Sequence, residues 1–206
     1  MTDNDSCNAD DILKTLRNCT RDVHRRLHKH PVTCNLVRRR LTVDEYVTAL
    51  HALQRYHASI EAHLELYPSD ADQHRASNLL TRDYESITGQ AENPLPPCPQ
   101  LEVAPSHDTR LGILYVLEGS RFGAGIIAGN VLRTLGFDAD KGASFFGTAL
   151  DNLSCEWQEL IQSLETQCES ARHCATAAET TFRQLEAYLW MVFKEHQPSP
   201  LEQKLA

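Results

Sequence analysis

The chain has 206 residues, of which 41% are hydrophobic and 23% charged, so it can bury a sizeable core and has the composition of an ordinary globular protein. Its net charge of −8 and isoelectric point of about 5.6 argue against general nucleic-acid binding. The seven scattered cysteines include no Cys-x-x-Cys pair, and no signal-peptide pattern opens the sequence. We therefore expect a reduced, cytoplasmic protein.

Helical periodicity dominates the chain, and no segment shows the alternation of a half-buried strand. Pro31 marks the end of the first helix, and Thr42 with Glu45 forms a capping box that opens the second. Residues 89–107 contain five prolines, which indicates a surface loop. The predicted helices cover residues 10–29, 42–67, 73–88, 110–136, 143–169 and 172–195.

This pattern predicts an all-α protein: a single-domain, multi-helix bundle. The domain covers residues 1–206, with an ordered core from about 10 to 196 and flexible ends. Glu118 and Arg121 interrupt the apolar run of the fourth helix, so we predict no membrane span there.

The fourth predicted helix contains an unusual number of glycines. Each interior glycine costs a helix roughly 0.8–1 kcal/mol relative to alanine, so a helix keeps several only where side chains would obstruct something. At about 100° per residue, Gly112, Gly119 and Gly123 share one face. Gly125 and Gly129 lie on another. The first face is suited to a flat ligand and the second to a close neighbouring helix; packing alone is the alternative for both.

The first predicted helix places a histidine at the edge of its apolar stripe. His24 lies at this boundary, with Arg17, Arg21 and His28 on the adjoining polar side. An imidazole beside two guanidiniums suits haem, which has a flat apolar ring, an iron and two carboxylates. An ordinary boundary histidine is the alternative. The apolar stripe comprises Leu13, Leu16, Thr20, Val23 and Leu27.

Four segments together resemble the haem oxygenase family, in its bacterial, biliverdin-producing form. They occur in the family's order and spacing, and the resemblance extends from about residue 13 to residue 195. The segments are residues 16–24, residues 41–46, residues 114–127 with the sequence Leu-Tyr-Val-Leu-Glu-Gly-Ser-Arg-Phe-Gly-Ala-Gly-Ile-Ile, and residues 142–146.

The resemblance implies a helical domain that holds haem between the first helix and a kinked glycine-rich helix. It also implies a reaction in which O₂ and electrons from a redox partner convert haem to biliverdin, CO and ferrous iron. The roles it implies are iron ligand for His24, haem contacts for Arg17, Arg21 and Phe182, and distal catalytic positions for Gly119, Ser120 and Gly123.

The positive charge is uneven, since nine of the 20 Lys and Arg residues lie within the first 40 positions, including Arg38, Arg39 and Arg40. A local basic surface on an acidic protein suits a small anionic ligand or an acidic partner. For a haem oxygenase, that partner would be an acidic electron donor such as a ferredoxin.

The sequence also departs from the family pattern at five positions. Ala124 stands where many relatives have a second consecutive glycine, and Ser120 where some have aspartate. His57 stands where relatives often have tyrosine, and Gln158 and Gln162 stand where some supply basic residues to the propionates. The resemblance therefore leaves open which meso carbon is cleaved. It also leaves open a haem-binding storage or transfer protein without turnover, and a bundle of the same ancestry without haem.

Overall fold

A computed structural model describes residues 9–65 and 76–195, and within these ranges the chain forms nine α-helices and no β-strand. The all-α prediction is confirmed. The helices are α1 (Ala9–Leu27), α2 (Pro31–Asn35), α3 (Val43–Leu64), α4 (Ala76–Thr88), α5 (His107–Arg121), α6 (Ala124–Leu135), α7 (Ser144–Gly147), α8 (Leu153–Gln167) and α9 (Ala171–Glu195). The predicted flexible ends, the last residues of the second predicted helix and the first residues of the third lie outside the described residues.

Two predicted helices are each divided in the structure. The fourth breaks between α5 and α6, where the Gly123 N–H donates to the carbonyl of Ser120 at 3.2 Å instead of to the residue four positions back. The fifth breaks between α7 and α8, where Asn152 adopts a left-handed backbone with φ of 57°. Periodicity continues across both breaks, so it could not reveal them. Pro31 not only follows α1 but also begins the short helix α2.

Helix α9 packs against α1, α3 and α5, and its close approach to α5 depends on Gly112. A Cβ atom on Gly112 would lie 2.2 Å from the carbonyl oxygen of Cys174 and 3.0 Å from the Cβ of Ala177. The interpretation that Gly112 belongs to a ligand-binding face is therefore wrong, because this glycine is needed for helix packing.

Two buried aspartates connect helices that are distant in sequence. Asp83 on α4 accepts hydrogen bonds from Ser144 N at 2.7 Å, Ser144 Oγ at 2.6 Å and Phe145 N at 2.8 Å, so it caps the start of α7. Asp108 on α5 accepts from the backbone N–H groups of Glu169 and Ser170 just before α9. Asp83 thus satisfies N–H groups that the start of α7 leaves without partners, and Asp108 satisfies the two N–H groups that precede α9.

The proline-rich connection between α4 and α5 lies on the surface, as predicted, and three of its side chains are buried in the core. Arg55 on α3 holds it by donating to the carbonyl oxygens of Asn93 at 2.7 Å and Leu95 at 3.0 Å. The buried side chains of this connection are Leu95, Cys98 and Leu101.

Helices α5 and α6 together satisfy the length and hydropathy criteria for a membrane span, with a mean hydropathy of 1.3 over the most apolar window. This is weak support for a membrane helix, because the core helix of a globular protein meets the same criteria. The break at Gly123 and the ion pairs that Arg121 makes with Glu118 and Glu156 interrupt this segment, and 33% of its most apolar window is buried.

Candidate functional site

Three of the predicted site residues lie along one exposed side of α1. Arg17, Arg21 and His24 are three or four positions apart, so they line up on one side of the helix. The opposite side is buried through Ile12, Leu16, Thr20, Val23 and Leu27, and the helices that α1 packs against are α9 and α8. The predicted apolar stripe is thus confirmed, except that Ile12 is the buried residue of the first turn and Leu13 is only partly buried.

His24 lies beside Phe182, the buried α9 residue that was expected in the same pocket. Their ring centroids are 5.6 Å apart, and the His28 ring lies 4.5 Å from His24 on the other side. Partial burial, together with the positive charge that His28 can carry, lowers the pKa of His24. A lowered pKa favours the neutral imidazole, which is the form that binds a metal ion.

An ion pair fixes α1 against α9 close to His24. Arg26 donates two parallel hydrogen bonds to the carboxylate of Glu186, at 2.7 and 2.8 Å. Such bidentate pairs define orientation as well as distance. The relative position of His24 and Phe182 therefore depends on a directional contact in addition to apolar packing.

Tyr115 on α5 connects the cationic side of α1 to the glycine-rich segment, and the sequence analysis did not single it out. Its hydroxyl interacts with Arg17 and Thr20. Burial raises the pKa of Tyr115 in spite of these two neighbours, which act to lower it. Its sequence signal was a phenol among the apolar residues from Leu111 to Leu117, one turn before Gly119.

A second aromatic residue that the sequence analysis missed, Trp157 on α8, covers Gly119. Its ring lies 5.8 Å from the Tyr115 ring and 5.3 Å from the Phe122 ring. A Cβ placed on Gly119 would meet only the Trp157 ring, at 3.8 Å. Tyr115, Phe122 and Trp157 thus form an aromatic cluster around Gly119, which links α1 to the α5–α6 break.

Neither Gly119 nor Gly123 is required by the conformation or packing of the protein. Gly123 has a right-handed backbone with φ of −83°, and a Cβ there would meet only the Ser120 carbonyl oxygen, at 3.6 Å. The Gly119 contact with Trp157 is an ordinary van der Waals distance. Gly136 and Gly142, by contrast, have φ of 75° and 84°, which side chains rarely adopt.

The structure also shows the surroundings of Gly125, Gly129 and Ser120. A Cβ on Gly125 would lie 3.0 Å from the Leu150 side chain, and nothing lies within 4 Å of one on Gly129. The predicted close helix neighbour for these two glycines is therefore wrong. The Ser120 hydroxyl donates to the carbonyl oxygen of Leu117 at 2.7 Å, which leaves its oxygen free to accept a hydrogen bond.

Arg121 secures the end of α5 just before the break. Its guanidinium donates to the carboxylates of Glu118 and Glu156 and to the carbonyl oxygens of Ala149, at 2.7 Å, and Asp151, at 2.8 Å. These bonds attach α5 to the α7–α8 connection and to the first turn of α8, which carries Trp157. The aromatic cluster is therefore positioned by a polar anchor.

The positions that depart from the family pattern lie in different surroundings. His57 on α3 is buried between the rings of Tyr56 and Phe145, and burial lowers its pKa to about 4. Gln158 and Gln162 are exposed on α8, and Ala124 is buried at the start of α6. Within the described ranges, no group of three or more His, Cys, Asp or Glu side chains is arranged to hold a metal ion.

A solved structure with the same arrangement of helices is the haem oxygenase from Neisseria meningitidis, crystallised with NO and with CO bound. The two chains align with a TM-score of 0.67 over 89% of this chain and 92% of the other. The chain has the haem oxygenase fold. The identity of 19% shows the fold alone. No protein-family model matches the sequence, and no curated protein matches it either.

The buried His57 should make this haem oxygenase fold sensitive to acid. With a pKa of about 4 in the folded state and about 6.5 when unfolded, His57 binds a proton only in the unfolded chain between these pH values. The free energy of unfolding should fall as the pH falls from 6.5 to 4, by up to about 3 kcal/mol from this group. Denaturant unfolding of the His57→Phe variant should show a smaller fall.

The matched control is His173→Phe, since His173 is exposed on α9. This variant should keep the acid sensitivity of the parent protein. The attribution to His57 is wrong if His57→Phe and the parent lose stability equally over this pH range.

Proposed function

We propose that this protein is a haem oxygenase, which binds haem and, with O₂ and electrons from a redox partner, cleaves it to biliverdin, CO and ferrous iron. The main support is the pair Gly119 and Gly123. Gly119 lies near the end of α5 and Gly123 at the break before α6, and neither backbone conformation nor packing within the protein demands glycine at either position. A ligand that needs bare backbone explains both residues, in a protein whose fold is that of haem oxygenase.

The side chains around this segment fit haem in their chemistry. His24 would supply the axial nitrogen, and its lowered pKa favours the neutral form required for this role. Phe182 would contact the apolar ring, while Arg17 and Arg21 would bind the propionates through charge-assisted hydrogen bonds. The Arg21 side chain is exposed and forms no hydrogen bond or ion pair with a described residue, so it is free for such a role. We add Tyr115, which interacts with Arg17, to this set.

Gly119, Ser120 and Gly123, on the distal side of the haem, would act mainly by leaving space and by providing no acidic or basic side chain. Gly119 and Gly123 place no acid or base beside the ligand, and the break leaves the Gly119 carbonyl without a hydrogen bond from Gly123. The Ser120 oxygen can accept a hydrogen bond from water, so protons would be positioned by backbone and water. The bound haem supplies the iron that activates O₂ and is itself the molecule oxidised. The single domain and the cytoplasmic location belong to the same proposal.

Haem titration followed by reduction under O₂ tests this function. Purified protein should first develop the absorption spectrum of bound haem, and a chemical reductant in air should then convert it to the spectrum of biliverdin. A storage or transfer protein would keep the haem spectrum, and a haem-free bundle would develop no specific spectrum. Either of these two results would contradict the proposal.

The same titration assigns the iron ligand. His24→Ala should abolish the parent haem spectrum, and added imidazole should restore it, whereas His28→Ala should bind haem as the parent does. The opposite pattern would make His28 the ligand. Arg21→Glu should weaken haem binding, because one charge-assisted contact is worth roughly 1.5–3 kcal/mol and the substitution replaces it with repulsion.

Gly123 and Gly129 form a matched pair for testing the bare backbone, because neither has a close side-chain neighbour. Gly123→Ala should leave the free energy of unfolding similar, or raise it by up to about 1 kcal/mol. Gly123→Val should still bind haem through His24 but give less biliverdin, because its side chain crowds the distal side. Gly129→Val should give the parent's yield.

Thermal stability, haem affinity and biliverdin yield should be measured on each of these variants. Haem-loaded Gly123→Val protein with normal yield would refute the distal role. If its melting temperature falls and its activity is lost only in proportion to the folded fraction, the glycine serves packing.

An acidic electron donor, such as a ferredoxin, would use the basic surface of the amino-terminal part. Arg25 and Arg26 are already paired with Asp22 and Glu186, so the donor would contact other cations. Turnover with a protein donor should fall steeply as salt is added, whereas turnover with a chemical reductant should not. Equal salt dependence in the two assays would exclude docking by charge.

A further inference from the structure

A second candidate site lies between the α2–α3 connection and the last turn of α6. It is an open cleft of about 590 Å³, a volume within the usual range for small-molecule sites. None of the residues proposed to hold haem lines it, so the inference drawn from it does not rest on haem binding, although Arg39 and Arg40 also belong to the basic amino-terminal surface. This arginine cleft is lined by Arg39, Arg40, Leu41, Arg133 and Thr134.

None of the three guanidiniums in the arginine cleft forms an ion pair with a carboxylate among the described residues. Glu45, in the first turn of α3, is bonded instead to Asn35 Nδ2 at 2.8 Å and to Thr42 N at 2.9 Å. Three cations without acidic partners therefore line one cleft, in a chain whose acidic residues outnumber its basic ones by 28 to 20. Their mutual repulsion would be relieved by a bound anion.

Asn130 fixes the two walls of the cleft relative to each other. This residue is 4% exposed, and its Nδ2 donates to the carbonyl oxygens of Leu36 at 2.8 Å and Arg38 at 2.9 Å. Its Oδ1 accepts a hydrogen bond from Arg133. One buried amide thus holds the chain that leads into Arg39 and also orients the Arg133 side chain. A site prepared in this way loses less entropy when a ligand binds.

We propose that the arginine cleft binds a compact polyanion carrying two or more phosphate groups. The planar guanidinium fork matches the oxygens of phosphate, and several forks can engage one such ligand together. A single exposed ion pair contributes little in water, so a monovalent anion would gain too little from this open site. The small volume favours a molecule the size of a short polyphosphate over a protein helix or a long polymer.

Calorimetric titration of the purified protein with inorganic tripolyphosphate at low salt tests this site. Saturable binding of one tripolyphosphate per chain is expected. Arg133→Gln should weaken it by about tenfold or more, through the loss of one charge-assisted contact. The matched control is Arg82→Gln, which removes the same charge from an exposed position on α4 and should leave the affinity unchanged. Circular dichroism checks that each variant is folded.

Asn130→Ala separates an ordered site from simple charge attraction, because it leaves the net charge unchanged. A folded Asn130→Ala protein should bind tripolyphosphate more weakly than the parent. Equal affinities in the parent, Arg133→Gln and Arg82→Gln proteins would overturn the site. So would binding of only long polyanions or acidic proteins. Citrate binding as tightly as tripolyphosphate would replace phosphate with carboxylate as the ligand class and overturn the assignment.

Discussion

The contact of α5 with α9 at Gly112 is the constraint on which most of the structure depends. The backbone carbonyl of Cys174 occupies the space that a side chain at this position would need. Helix α9 also carries Phe182 and packs against α1, so the position of α5 on α9 determines where Tyr115 lies relative to α1. A larger residue at position 112 would move α5 away from α9, and with it the glycine-rich break.

The glycines of this chain differ in what makes them necessary. Gly112 allows two helices to approach, whereas Gly136 and Gly142 adopt backbone angles that favour glycine. Gly119, Gly123 and Gly129 meet neither requirement. This difference is not visible in the sequence, where helical angles placed Gly112 on the same face as Gly119 and Gly123. The difference becomes visible once the atoms that would surround a side chain at each glycine are known. The argument for a ligand therefore rests on where the glycines lie and not on how many there are.

Much of the fold could be predicted from the sequence, because local signals mark it. Helical periodicity and the capping box at Thr42 gave the long helices within a few residues. The separation of the fifth predicted helix into α7 and α8 was not predictable from the sequence. It depends on the left-handed conformation of Asn152 and on the carboxylate of Asp83, which lies on α4 and caps α7. The surface loop between α4 and α5 was predicted from its prolines, but its attachment to the core was not, because its anchor, Arg55, is distant in sequence.

In the candidate site, too, local features could be predicted from the sequence and long-range contacts could not. Residues on one helix, such as Arg17 and His24, could be grouped by spacing alone, and their roles toward haem stay predictions. The place of Trp157 in the site could not be predicted, because α8 contacts α5 only in the folded structure. Arg121 holds the two helices together by donating hydrogen bonds to four acceptors from one planar guanidinium. A lysine has three donors on a single nitrogen and cannot reach acceptors spread over two carboxylates and two carbonyls. This position therefore tolerates no exchange of one basic residue for another, although its charge alone would permit it.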